Sequence, residues 1–477
     1  MRLSAHDASF LYTENASGPM HGVGFTVLNG PTTYEDIFAF YASRIHLIPR
    51  LRQRAMFVPS NIAHPRWVDD PDFRLENHLV KHEVSPGTTL AQAFEIGLEI
   101  SEPLLDRSRP LWLTYVIENV ENQTLLVQLS HHAFVDGATA VAMFTVLTQP
   151  VPNAPPPEPP APPWQPGRVP TSMELWQEAV TENFQKGAAL GTQALTMGQE
   201  LAQTMQQAAP LLARVGRPVM QAPWNASLVG PKRKYQRRER SLKQLRSIRK
   251  ALGGTLNDVV VTVAMEGAAR YMAALGEELE GQHLRLMCPV NVRGADDDPI
   301  NGGGNRVSAM FPVLEAAPKP ILERYAEVRG ELQSIKDNNE AVLMDRLQQL
   351  QPFNPPVAMA PLTVVGGEFD PSVAAARAPL PIMPHQGQRP QQLGFNFTVT
   401  NVPGPTEKAY VVGDKVSATS GTLQLGGNLG FGFSTNSYAG TMFFNFTCDP
   451  RLVPDLKAMV ACVEGALDEL QAAAKGG

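Results

Sequence analysis

The stretch from Leu125 to Leu147, LLVQLSHHAFVDGATAVAMFTVL, constrains this chain more than any other. An apolar run with period-2 alternation rises to the adjacent pair His131 and His132. A short turn follows, and a small-residue helix departs from Ala138. Successive strand residues point to opposite faces, so only one of the two histidines can look into a given cleft while the other packs behind it. His132 is taken as the working one and His131 as a packed, hydrogen-bonded neighbour. Asp136 stands where a helix begins, and Gly137 permits a tight backbone path there. With 10 His and 38 Gly in 477 residues, two adjacent histidines followed at these offsets by Asp and Gly are a rare coincidence.

A hydrophobic content of 43% and a charged content of 18% suit a globular chain long enough for two or three cores. The net charge of -6 gives no general attraction to nucleic acid, and no nucleic-acid partner is expected. Cys288, Cys448 and Cys462 are few and far apart, which argues against a disulfide framework and against a metal site. A cytoplasmic setting follows as the expectation, since the start MRLSAHDASF lacks a signal-peptide layout and no run approaches the ~18 apolar residues of a spanning helix.

HHAFVDG resembles the HHxxxDG motif of the CoA-dependent acyltransferase superfamily, and further blocks narrow the likeness to the bifunctional wax ester synthase/diacylglycerol acyltransferase family. Those blocks are LSAHDASFLY at Leu3, PMHGVGF at Pro19, LLDRSRPLW at Leu104, LNDVVVTVAMEGAARYM at Leu256, CPVNVR at Cys288, GNRVS at Gly304, TNVPGP at Thr400 and NSYAG at Asn436. They run from end to end in family order. Departures are Ala5-His6, where the family often has a proline-containing pair, and Leu113, where an acid often follows the tryptophan. The resemblance implies a two-domain chloramphenicol acetyltransferase-like fold with an active-site tunnel at the domain interface. It implies acyl-CoA as co-substrate, a fatty alcohol or diacylglycerol as acceptor, and no other cofactor.

Read on its own, the chain divides into an N-terminal domain over 1–149, a Pro-rich linker with crossover helices over 150–225, and a C-terminal domain over 226–477. Strands and helices alternate without a regular βαβ beat, which suits an α+β class. Proline at the density of QPVPNAPPPEPPAPPWQPGRVP blocks helix and ladder alike and makes an extended spacer. From Ser172 to about Ala209 the pattern turns helical, with Leu190, Ala194, Met197, Leu201, Met205 and Ala208 on one face. That face packs in a core or touches a membrane or lipid-inclusion surface.

Other clusters carry bland and sharp readings side by side. Asp7 reads as a helix cap and His21 as a rim histidine, or both as part of a substrate mouth. Arg44, Arg50, Arg52 and Arg54 form a solvated face or meet CoA phosphate. Asp106, Arg107 and Arg109 hold a charged turn through ion pairs. The basic run from Lys232 to Lys250 is a strand and helix with exposed arginines, or a contact for CoA phosphates or lipid headgroups. Gly302 to Gly304 is a weak phosphate cradle, and the Pro- and Gly-rich region 351–392 covers a channel or is an insertion. Asn257 and Asp258 open a helix, and an N-cap role accounts for them; in the family the pair is a hallmark placed near the active site.

Acyl transfer from a thioester to a hydroxyl chiefly requires a base for the alcohol proton. A neutral imidazole supplies this at a typical gain of ~10²- to 10⁴-fold, and His132 is the candidate. Asn257, Ser434 and Thr435 are candidate donors to the oxyanion, and Asp258, Ser434 and Thr435 are expected to bind substrate. No GxSxG elbow is present to suggest an acyl-enzyme. In superfamily relatives the motif aspartate pairs with an arginine, which makes Arg293 or Arg306 the expected partner of Asp136; the rival is a triad-like aspartate orienting His132. Two other classes remain: a condensation-type acyltransferase using a carrier-protein thioester, and a non-catalytic lipid-binding protein.

Overall fold

The computed structural model describes residues 1–294, 297–300, 304–349, 381–382, 391–392 and 394–476. Two sheets organise these residues. The first has six strands in the order 410–411, 414–421, 21–28, 123–131, 112–120 and 79–81. His21–Leu28 and Gln123–His131 run antiparallel in unbroken register from His21 opposite His131 to Leu28 opposite Thr124. Trp112–Val120 returns to Gln123–His131 through Glu121 and Asn122, whose φ values of 49° and 61° match the left-handed two-residue turn that suits strand twist.

The second sheet has the order 307–310, 283–291, 397–402, 431–438, 441–448 and 234–241, with 313–315 also pairing to 283–291. Phe397–Val402 runs parallel to both of its neighbours, which demands the long connections on either side of it. The hairpin read at Tyr438-Ala439-Gly440 forms, with Ala439 and Gly440 both at positive φ. Helices Leu242–Leu252, Leu256–Ala274, Ile321–Asp337 and Leu456–Gly476 supply most of the rest of this core. Gly267 sets the approach of two of them: a Cβ there would lie 2.3 Å from Val463 Cγ2 and 2.9 Å from its backbone nitrogen. A larger residue would push these helices apart.

The unit expected over 226–477 is not self-contained. Tyr410–Val411 and Asp414–Gly421 leave the second sheet and join the first, Asp414–Gly421 pairing with His21–Leu28. The physical reason is the free edge of His21–Leu28, whose buried N–H and C=O groups need a partner. The chain then returns through residues 422–430 to Phe431–Tyr438, so this connection runs between the two sheets.

The Pro-rich spacer lies along the first unit, where Trp164 stacks under Arg52 at 4.3 Å and the Gly167 N–H donates to Asp69. The helix that follows spans Ser172–Val215, started by a capping box between Thr171 and Glu174. It continues past Pro210 rather than stopping at Ala209. Near its start Glu178 and Glu182 pair with Arg66 and Arg2, and at its end Arg214 pairs with Glu331 and Glu340. It thereby ties both units together. On the face read from sequence, Ala208 is buried and Met205 is exposed, while the side chains of Leu190, Ala194, Met197 and Leu201 lie outside the described residues. The region 351–392 lies outside them too, except for two short strand pieces at 381–382 and 391–392. No helix among the described residues is long and apolar enough to cross a membrane.

Candidate active site

After His131 the strand ends in a tight coil, because the His131 carbonyl accepts the N–H groups of Phe134 and Val135 and its Nδ1 accepts that of Ala133 at 3.0 Å. An Nδ1 that accepts leaves the ring proton on Nε2. That nitrogen lies 3.3 Å from Glu14 Oε1, and both side chains are fully buried. Glu14 also accepts the Met20 N–H at 2.9 Å and pairs with Arg107 at 3.0 Å. Burial alone would raise its carboxyl. The His131 hydrogen bond, the Met20 N–H and Arg107 outweigh burial and hold it at about 2.

A depressed carboxylate contributes stability that is complete above the ordinary glutamate value of 4.5 and is lost as pH falls toward about 2. Glu14→Gln is therefore expected to flatten the pH dependence of unfolding across that window, read by circular dichroism. A slope unchanged from the native chain would count against the pairing. Arg107 thus does more than hold its own turn; Asp106 and Arg109 do pair there, at 3.4 Å.

His132 faces the other way and is only half-buried. Its N–H donates to the Met20 carbonyl at 2.8 Å and its own carbonyl accepts from Asn305 Nδ2 at 2.5 Å. The ring stacks on Phe10, centroids 5.0 Å apart and planes 21° apart, and Nε2 lies 2.7 Å from Gln424 Oε1. Burial pushes its pKa below the usual histidine value, against the opposing pull of Gln424, so the ring is neutral at pH 7.

Asp136 turns away from both imidazoles. One carboxylate oxygen caps helix Gly137–Val146 through the Thr139 N–H at 2.9 Å. The other meets Arg293 at 2.7 Å and accepts the Arg306 N–H at 3.3 Å. Arg293 also donates to Thr139 Oγ1 and to the Gly304 carbonyl. Gly137 has no left-handed φ; its value is close approach, since a Cβ would lie 3.1 Å from Val402 of the second sheet. Asp136, Arg293 and Gly137 therefore close the two units onto each other beside His132.

Asp7 belongs to the same closure rather than to a helix cap, which Ser4 supplies. Its carboxylate accepts the Asn305 N–H at 3.0 Å. Gly304 sits at φ 108°, and a Cβ on it would come within 2.2 Å of Asp7 Oδ2. Gly302 and Gly303, the rest of the run read as a phosphate cradle, lie outside the described residues. His21 is no rim residue either: it is buried and its Nε2 bonds the Ser101 carbonyl at 2.8 Å.

Asp258 completes a capping box, with Thr255 N–H to Oδ2 at 2.6 Å and Thr255 Oγ1 accepting in return. Among the described residues no hydrogen bond or ion pair joins Asn257 or Asp258 to the loop 131–137. Thr435 is fully buried and bonds Asn401 Oδ1 at 3.1 Å, and Ser434 lies beside it on the strand opposite Thr400 and Asn445. Neither hydroxyl bonds His132. The four clustered arginines do not converge: Arg44, Arg50 and Arg52 lie over Phe40, Trp67 and Trp164, and Arg54 faces Asp70. In the basic run, Arg238 and Arg240 both pair with Glu464. No group of three or more His, Cys, Asp or Glu that could hold a metal occurs among the described residues.

Sequence reasoning missed Glu14, Asn305 and Gln424. Asn305 lay inside the GNRVS block and Glu14 just past the LSAHDASFLY block, so nearness to a recurring pattern was the available signal. Gln424 carried none.

The wax ester synthase/diacylglycerol acyltransferase catalytic domain matches residues 3–260, and the C-terminal domain of the same family matches residues 303–471. A Mycobacterium tuberculosis protein provisionally named a diacylglycerol O-acyltransferase is 27% identical over 485 residues, covering 98% of this chain and 90% of that one. Among solved structures, the wax ester synthase/diacylglycerol acyltransferase from Marinobacter aquaeolei VT8 superposes with a TM-score of 0.64 at 21% identity, over 100% of both chains. A starter condensation domain of rhizomide synthetase, in complex with C8-CoA and Leu-SNAC, gives 0.58 at 16% identity over 99% of this chain and 94% of that one. These neighbours share the two-domain α+β fold of the chloramphenicol acetyltransferase type. The chain belongs to the wax ester synthase/diacylglycerol acyltransferase family and is an acyltransferase.

Proposed function

We propose that the protein moves a long-chain acyl group from acyl-CoA to a fatty alcohol or diacylglycerol, with His132 as general base. The observation that carries this is a neutral, half-buried imidazole at the junction of the two units, on a loop clasped from both sides. The acceptor hydroxyl oxygen forms a bond to the thioester carbon while its proton passes to His132. The carbon–sulfur bond then breaks and the proton goes to the departing thiolate. A thiolate leaves readily, so no serine or cysteine intermediate is needed. The test is thiol release from palmitoyl-CoA against a panel of alcohols and diacylglycerol. No release with any acceptor, or release only from a carrier-protein thioester, would reject the reading.

Such acceptors reside in lipid, and the long helix offers a surface for it. Met173, Trp176, Val180 and Phe184 recur at helical spacing and are 63%, 41%, 40% and 77% exposed. On this reading they rest on a membrane or lipid-inclusion surface. Phe184→Glu is expected to reduce flotation with phosphatidylcholine vesicles severalfold, and equal flotation would discard the helix as the contact.

A further inference from the structure

The acids around the loop 131–137 are committed elsewhere: Glu14 to His131, Asp136 to Arg293 and Asp7 to the Asn305 N–H. Among the described residues no carboxylate bonds the His132 ring, whose hydrogen-bond partner is the uncharged Gln424. A proton taken up by this half-buried ring therefore makes a cation with no paired anion, and such a cation needs compensation. Along the plane of the ring lies Phe10, centroids 5.0 Å apart and planes 21° apart.

Phe10 is carried to that place by a helix, Ala5–Thr13, that is clasped near both ends to the histidine loop. At its start Asn305 donates its backbone N–H to Asp7 and its side-chain amide to the His132 carbonyl, so one residue grips helix and loop together. Past its end Glu14 meets the His131 ring and accepts the Met20 N–H, while the Met20 carbonyl takes the His132 N–H. Phe10 stands between the two clasps. His6, one turn earlier on the helix, crosses the same phenyl ring at 77° with centroids 5.1 Å apart.

We propose that Phe10 is a positioning residue for the base and, on the reading that makes His132 that base, stabilises through its π face the imidazolium formed when the acceptor's proton arrives. The face of a phenyl ring carries partial negative charge and attracts a cation within about 6 Å of its centroid, more strongly away from water. A neutral imidazole feels little of this. The attraction grows as the proton moves, so it lowers the barrier rather than tightening substrate binding. Because the charge of an imidazolium is shared over the whole ring, the effect is the same whichever nitrogen takes the proton. When the carbon–sulfur bond breaks and the proton passes to the thiolate, the stack returns to two neutral rings.

The test varies the charge on the phenyl face while keeping its shape. Mono-, di- and trifluorophenylalanine placed at position 10 weaken the negative face stepwise, and are expected to lower kcat progressively, roughly 3- to 10-fold for the trifluoro ring, with KM for acyl-CoA little changed. The acid limb of the kcat/KM profile should move down by about 0.5 to 1 pH unit, since a less stabilised imidazolium loses its proton more readily. The same fall should appear when the His132 ring is titrated by NMR, a readout independent of turnover. The other titratable groups near that ring, His6 on the helix and His131 and Asp136 on the loop, stay in place throughout the series, as does Arg293 beside Asp136. If Phe10 only fills space, Phe10→Leu will lower the melting temperature while fluorination leaves rate, limb and titration where they were, and that result would overturn the proposal. Full activity in His132→Ala would remove the base itself and the proposal with it. An inactive His132→Ala beside a fluorine-insensitive limb would overturn the role of Phe10 alone.

Discussion

Replacing His132 by alanine is expected to lower thiol release from palmitoyl-CoA by roughly 10²- to 10⁴-fold while the protein stays folded. The fold should survive because the loop is held here by backbone groups that alanine keeps: the 132 N–H to Met20 and the 132 carbonyl to Asn305. What the substitution removes is a ring stacked on Phe10 and bonded to Gln424, neither of which needs it for burial. His131→Ala makes the useful contrast. That imidazole is fully buried against Glu14, and its loss takes a hydrogen-bond donor from an interior carboxylate that is left to Arg107 and the Met20 N–H, so stability should fall first. Equal rates from the native chain and His132→Ala would reject the base.

Asp136→Asn should behave in the opposite way, with folding lost before chemistry. Asparagine caps helices as well as aspartate does, so the bond from the Thr139 N–H survives. The charge does not, and Arg293 remains with its guanidinium buried; the two side chains are 6% and 4% exposed. Breaking such a pair from one side costs about 3–5 kcal/mol, which a fall in the urea midpoint would report. Replacing Arg293 by methionine in the same chain should return part of that loss, because the stranded charge goes with it. A variant with unchanged midpoint and a rate reduced by orders of magnitude would instead give Asp136 the orienting role of a triad aspartate.

Local signals were legible without coordinates. Strand, turn and helix around His131 and His132, the hairpin at Tyr438 to Gly440 and the helix start at Asn257-Asp258 all depend on residues a few positions apart. Alternation, positive-φ turns and N-caps are properties of just that range. Sequence also narrowed the partner of Asp136 to Arg293 or Arg306; the structure uses the guanidinium of the first and the backbone N–H of the second.

Only the tertiary structure decided the remainder. Alternation says that two adjacent histidines face opposite ways, but which one is buried is set by Glu14, delivered by the turn after an N-terminal helix. Asp414–Gly421 reads the same whether it pairs in one sheet or the other, and it was the open edge of His21–Leu28 that took it. Gln424 reaches His132 across 292 positions of chain because that strand crossed over. A chain determines its elements through neighbours in sequence, and determines its site through whichever distant groups can be buried together with their hydrogen bonds and charges satisfied.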